Sequence, residues 1–492
     1  MQHAVGTAIS GGTSDFDFRN WQNCVSKSWL ERHSIAVVEM IRFVGRRMPG
    51  NYFRKSTFCT DADGITIAKS LSRKNVVRFS IDRSGMTESD ILNKQIPGNK
   101  ELLTPLAKEL RTLIQLKGPI SLHDYMSHLL HHGVYGYYQS NSDKIGEKGD
   151  FITSPEISQL FGEMLAIWCI SIWEKLGRPK NIKLIELGPG NGTLMKDVLK
   201  VIRKFPELYD ALNIYMVELS ESMQKIQQQK LQCGELSIEN RIKSYKSPLS
   251  TNKISWCSFF NQIPIDSNPN IILAQEFLDV FPVHQFAFTP KGWREKLVDL
   301  DTSNDSPYHF RIVLSPNATP ASISLLNKNL CETSQLKEGD SVEICPMALA
   351  ITEDITKVVT GSGKGAALFI DYGETFTQED SIRAFQRHKQ GSILSQPGLH
   401  DVTADVDFGM LAKCASKKGA SVHGAVTQGE FLLRMGIIER LKQLIDLDTT
   451  SDIQANELLS SMKILVDQTK MGSRFKILSI AHNSIQVPGF SP

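Results

Sequence analysis

Three glycines on alternate positions follow an acid in Glu186-Leu187-Gly188-Pro189-Gly190-Asn191-Gly192-Thr193, and no other stretch of the sequence is better suited to cradle a ligand. Glycine takes up positive φ and lets the backbone come close to a bound molecule, while the first turn of a following helix offers unpaired N–H groups. Glu186 closes the apolar run Lys183-Leu184-Ile185, so it belongs at the tip of a buried strand. A second short run, Asn213-Ile214-Tyr215-Met216-Val217, ends in Glu218 one helix further on. A carboxylate in that place can accept both hydroxyls of a ribose. A third run, Asn270-Ile271-Ile272-Leu273-Ala274, stops at Gln275-Glu276-Phe277-Leu278-Asp279 and sets two acids, Glu276 and Asp279, where they could meet a cation. Taken singly, these are a tight βα turn, a solvated strand end and acids at a helix start. The glycine turn and Glu218 together favour a nucleoside-containing cofactor. A dinucleotide fingerprint would need a glycine three places after Gly190, and that place is Thr193.

The elements that must carry these residues are legible around them. Leu103, Leu106, Leu110, Leu113 and Ile114 recur at helical spacing, Gly118-Pro119 breaks the run, and Ser121 caps a second helix. The polar loop Gly146 to Thr153 precedes a strong helix start, with Ser154 as N-cap, Pro155 in the first turn and a helix on through Phe161, Leu165 and Trp168. Loops so placed often line a site. Thr193 to Phe205 and the stretch from Ser220 read as helices, and Ile254 to Cys257 as a third strand. Ser258-Phe259-Phe260 then suggests stacking on a base, because no acid follows that strand. The alternation around Pro290-Lys291-Gly292 and in Arg311 to Leu314 predicts an antiparallel insertion. Leu349 to Val359 reads as a helix, Ala366 to Asp371 as a fifth strand, and Arg474 to Ile480 as a last one. Thr427 and Glu430 form a capping box, and the stretch between Arg383 and Asp401, rich in His, Lys and Gly, reads as a loop.

The spacing E-x-G-x-G-x-G resembles the first motif of Rossmann-like S-adenosylmethionine (SAM) methyltransferases. That resemblance implies that Glu186 contacts the methionine end of SAM, directly or through water, and that Gly188, Gly190 and Gly192 pass beneath it. Together with GEKGDFITSPEIS, ILAQEFLDVFPVHQF, FIDYGE and DVTADVDF, in this order between about Leu102 and Ala481, the chain resembles the MidA family of mitochondrial complex I assembly methyltransferases. The fold class expected is therefore α/β, a Rossmann-like SAM-dependent methyltransferase sheet with an N-terminal helical region and an antiparallel β insertion. The activity implied is SAM-dependent symmetric dimethylation of arginine on a core subunit of complex I, in the mitochondrial matrix. Thr153 and Ser154 join Glu186, the three glycines and Glu218 as expected cofactor contacts. Glu276 is the first catalytic candidate, followed by Asp279 and Asp150. No metal is expected. Asn191 and Glu374 depart from the family pattern, where a basic residue and a histidine stand in several relatives. The alternative is a SAM-binding assembly factor that holds a respiratory-chain subunit without turning over.

Composition bounds the rest. Over 492 residues, 41% hydrophobic and 22% charged describe an ordinary globular chain, and 55 basic against 53 acidic residues give no general attraction to nucleic acid. Eight scattered cysteines without a C-x-x-C pair suit a reducing compartment, and no apolar run reaches the eighteen residues of a membrane span. From Lys27 to Lys55 seven basic and two acidic residues alternate with apolar ones, as in transit peptides. The expected division is a presequence and linker over 1–100, a helical region over 101–180, the methyltransferase core over 181–284 and 345–482, and a β-rich insertion over 285–344. Whether two copies form a homodimer is left open by the sequence.

Overall fold

The structure, a computed structural model, describes residues 100–139, 152–239, 242–303, 305–326, 337–376, 379–386, 389–447 and 450–490. The transit-peptide-like stretch and Asp150 lie outside the described residues. Among the described residues, Glu101–Thr302 and those from Tyr308 onward belong to one compact unit, which holds every element named below. The few described residues of a second unit, Lys100 and those around Ser306, carry no helix or strand.

The main sheet has ten strands among the described residues. In chain order they are β1 (Ile182–Leu187), β2 (Leu212–Val217), β3 (Leu236–Glu239), β4 (Ile242–Tyr245), β5 (Ile254–Cys257), β6 (Asn270–Gln275), β7 (Gly365–Glu374), β8 (Val406–Asp407), β9 (Ser421–Thr427) and β10 (Phe475–Ala481). Across the sheet the order is β9-β10-β7-β6-β1-β2-β5-β4-β3, with β8 on β7. The five central strands, β7 to β5, run parallel. β1 and β6 are buried at every position, as continuous apolar runs covered on both faces must be. The chain moves outward from β1 through β2 to β5, then returns to the other side of β1 with β6 and β7. Strand order therefore reverses between β1 and β6, and in open α/β sheets ligands sit beyond the carboxyl ends at that point.

Helices Thr193–Ile202 and Gln159–Lys175 pack beside the cradle. The second is buried nearly all round, from Leu160 to Trp173. Ile185, Leu187, Ile272, Phe369 and Leu478 of the sheet share one apolar cluster with Phe408. A second cluster joins helices Pro105–Lys117 and Leu122–His131 to Val298, Phe310 and Val402.

The caps at Ser121, Ser220 and Thr427 form as the sequence predicts. Three local expectations are corrected. Ser154 is not an N-cap: Thr153 occupies that position without a side-chain bond, Ser154 opens a four-residue helix, and the chain breaks at Ser158, whose hydroxyl caps Gln159–Lys175. The reason is tertiary, since both polar groups of Ser154 are engaged elsewhere. Ile120–Ser121 pairs antiparallel with Val298 and Leu297, so the N-terminal segment contributes a strand as well as helices. The stretch read as a loop after Arg383 carries a three-stranded sheet of Arg383–Gln386, Lys389–Gly391 and Asp401–Thr403.

Candidate active site at the carboxyl ends of the central strands

Of the expected site residues, Glu186, the three glycines, Glu218, Glu276 and Asp279 lie at or just past the carboxyl ends of β1, β2 and β6, and Thr153 and Ser154 lie at the start of a short helix bonded to Glu276. Gly188, Gly190 and Gly192 all have positive φ, 61°, 51° and 79°, which L side chains rarely adopt. At Gly188 the constraint is also one of space, because a Cβ would lie 2.8 Å from Cδ2 of Phe277. Gly192 ends the turn in the left-handed region and starts the helix Thr193–Ile202.

Glu186 is 2% exposed. Burial pushes its carboxyl up to about 8, against a stabilising N–H from Met195, and its Oε2 has no partner. A buried polar atom without a partner is costly, which makes this oxygen a candidate contact for a bound group. Glu218, two residues past the Met216 partner of Glu186, is also raised by burial, with the Ser220 N–H and Gln227 opposing. Its Oε1 accepts from the Ser220 N–H at 2.8 Å and its Oε2 from Gln227 at 3.1 Å. Neighbouring strand tips thus carry an acid each, the arrangement a ligand with an ammonium at one end and a ribose further on would fit. Beyond β5, Phe259 is exposed and its N–H is held by the Gln262 side chain, which leaves the ring available for stacking.

Past β6 the chain turns sharply. Glu276 is left-handed, φ 49°, a strained conformation for a residue with a Cβ, and its N–H is held by the Ile370 carbonyl at 2.8 Å. Its Oε1 accepts from the Ser154 N–H at 3.0 Å and from Gln275 Nε2 at 2.6 Å. Burial, aided by the charge of Asp279, moves the Glu276 carboxyl up to about 8. Asp279 is held by the Tyr372 hydroxyl on Oδ2, while its buried Oδ1 is without a partner. Its carboxyl rises to about 6, burial outweighing the Tyr372 bond and the nearby Arg383 cation.

Asp371, in β7, is the residue that sequence reasoning missed. Its Oδ2 accepts from the backbone N–H groups of Phe277, Leu278 and Asp279, at 3.2, 2.9 and 3.3 Å, and so holds the whole turn between the two acids. An acid at the end of the predicted fifth strand was the only available signal. Thr153 lies beside this site as the cap of the short helix. Ser154 gives its N–H to Glu276 and its hydroxyl to Gln428. Glu156, on the same helix, accepts from the Thr193 hydroxyl and from Asn191 Nδ2, which closes the segment onto the glycine turn.

The model of an S-adenosyl-L-methionine-dependent methyltransferase family matches residues 164–426, more than half of the chain. The chain belongs to this family. The methyltransferase is 39% identical over 391 residues to a human protein named protein arginine methyltransferase NDUFAF7, mitochondrial, covering 78% of this chain and 85% of that one. A Xenopus tropicalis protein of the same name is 37% identical over 75% of this chain and 84% of its own. A Drosophila melanogaster homologue is 38% identical over 76% and 84%. Among solved structures, a COG1565 superfamily member from Burkholderia thailandensis, bound to S-adenosyl-homocysteine, superposes with a TM-score of 0.64 at 23% identity, covering 80% of this chain and 97% of that one. That likeness shows the α/β fold of the methyltransferase.

Proposed function

We propose that this methyltransferase acts on arginine in a protein, forms symmetric dimethylarginine on a core subunit of complex I, and works in the mitochondrial matrix during assembly of that complex. The names of its relatives support arginine as the acceptor and the mitochondrion as the place. The observation that carries the reading is the pair of acids Glu276 and Asp279 one turn apart past β6, held by Asp371 beside the glycine cradle.

The unfilled Oε2 of Glu186 fits the ammonium of the cofactor, Glu218 its ribose, and Gly188 and Gly190 the close passage between them. Thr153 and Ser154 lie on the segment that closes over it. When bound, SAM supplies an electrophilic methyl group on a sulfonium. The residues of the chain do the rest. A guanidinium arrives charged, with its electron density delocalised. Glu276 and Asp279 grip it, fix one nitrogen for in-line attack and hold the charge on the others. As the new N–C bond forms and the C–S bond breaks, that nitrogen must give up a proton. Glu276, with its carboxyl near 8, is matched to take it.

The test is transfer of labelled methyl to arginine-bearing segments of complex I subunits, with mass spectrometry to distinguish symmetric from asymmetric product. Glu276→Gln should lower turnover by at least about a hundredfold while SAM affinity stays within about twofold. Retained turnover would remove Glu276 from the mechanism. No transfer by the unaltered protein, with tight SAM binding, would favour an assembly factor that only holds its subunit.

A further inference from the structure

The helix Glu221–Lys230 reads ESMQKIQQQK, a string that sequence alone would give to solvent. Two of its glutamines are nevertheless buried, Gln224 at 6% and Gln227 at 0% exposure. Three residues apart, they share one face of the helix, and both reach back to Glu218. Gln224 Nε2 donates to the Glu218 carbonyl oxygen at 2.7 Å. Gln227 Nε2 donates to Glu218 Oε2 at 3.1 Å and to the Gly190 carbonyl oxygen at 2.8 Å. Trp256 Nε1, in β5, donates to Gln227 Oε1 at 2.9 Å, and so fixes which end of the amide is nitrogen.

A primary amide has two N–H donors, and in Gln227 both are spent on groups of the cofactor cradle. Burying an amide is unfavourable unless its bonds are made, so a helix that needed only to fill this space would use leucine or methionine. The backbone fits the same purpose: a Cβ at Gly192 would stand 3.4 Å from Gln227 Cα, which sets the helix directly against the turn.

We infer that Gln227 is a positioning residue for the nucleoside end of the cofactor, acting by tying the glycine turn to the ribose acid. With Gln227 on Oε2 and the Ser220 N–H on Oε1, the Glu218 carboxylate is held in one orientation before ligand arrives. Gly190 is held at the same time through its carbonyl. The inference rests on the reading that SAM occupies this crevice.

Calorimetry of SAM binding to the full chain tests it, with methyl transfer measured in parallel on Gln227→Met and Gln227→Glu. Gln227→Met should raise Kd and KM for SAM about tenfold, with kcat at saturating SAM and KM for the acceptor within about twofold. Gln227→Glu sets a second carboxylate against Glu218 Oε2, and the pair can restore a hydrogen bond only by sharing a proton. Relative to the unaltered chain, the SAM affinity of this variant should therefore improve as pH falls from 8 to 6, because the protonation of Glu186 is common to both. If Gln227→Met fails to fold, this difference in pH response decides the matter. Variants that bind SAM as the unaltered chain does, or lose only kcat or only thermal stability, overturn the inference. An unaltered chain that binds no SAM overturns both the inference and the reading beneath it.

Discussion

Glu186, Glu276 and Asp279 are acids kept from water, and their titration yields predictions that need no knowledge of the substrate. In the fold Glu186 holds its proton up to about 8, against 4.5 for an ordinary glutamic acid. Between those values the folded state binds more protons than the unfolded one, so the stability this group contributes is full below 4.5 and lost as pH rises through about 8. Glu186→Gln, which never ionises, should raise the Tm of the ligand-free protein at pH 8 by about 3 °C or more and abolish SAM binding. Scanning calorimetry with and without SAM reads both; a lower Tm for the variant would contradict the account. For transfer itself the acids that grip a cation must be ionised, so kcat/KM should increase from pH 6 to pH 8, following Asp279 near 6 and Glu276 near 8. A pH–rate profile that is flat over this range would dismiss these acids. Acids at strand tips were legible because an apolar run that ends in a carboxylate is a strong local pattern. Gln227 was not legible, since glutamine in a polar helix is ordinarily solvated and only the packed helix shows where its amide goes.

At the scale of elements, the glycine cradle and the turn after β6 are rigid for different reasons. Gly188→Ala must place a Cβ at positive φ and 2.8 Å from Phe277, whereas Gly118→Ala meets the φ penalty alone, with nothing within 4 Å. Gly118→Ala, at φ 85° and ψ −174° in a region essentially confined to glycine, should therefore cost about 1–3 kcal/mol of stability and leave SAM affinity unchanged. Gly188→Ala should lose SAM binding altogether, and adding Phe277→Leu should recover part of it by relieving the clash; equilibrium binding to the three variants checks this. Asp371→Ala leaves three backbone N–H groups between Phe277 and Asp279 without an acceptor, at a cost of about 1–3 kcal/mol for each that water does not reach. Here kcat should fall while the Kd for SAM is kept, and Asp371→Asn, which retains one acceptor oxygen, should restore part of kcat. The central strands were read from their apolar runs, but the start of the Ser154 helix was placed one residue late. Local capping rules could not know that Glu276 and Gln428, 122 and 274 residues further along the chain, take up the polar groups of Ser154.

The molecule as a whole is organised by contacts that run far along the chain. The N-terminal helices share a core with strands near 300 and 400, and Tyr125 donates to the Ile393 carbonyl across 268 residues. Leu110, 1% exposed in that cluster, should cost about 2–5 kcal/mol when replaced by alanine. Urea unfolding measures it; a cost under 1 kcal/mol would mean that these helices are only loosely attached. Hydrophobic periodicity found these helices, but it carries no record of partners so remote.

β10 is the last strand described and yet lies inside the sheet, between β7 and β9. While the ribosome is still short of residue 475, both neighbours present bare edges, β7 along seven positions that Phe475–Ala481 will later pair. Such edges invite pairing with other chains. Newly made copies should consequently need shelter by holding chaperones until the final stretch emerges, and messages truncated after β9 should yield aggregates rather than a smaller working enzyme.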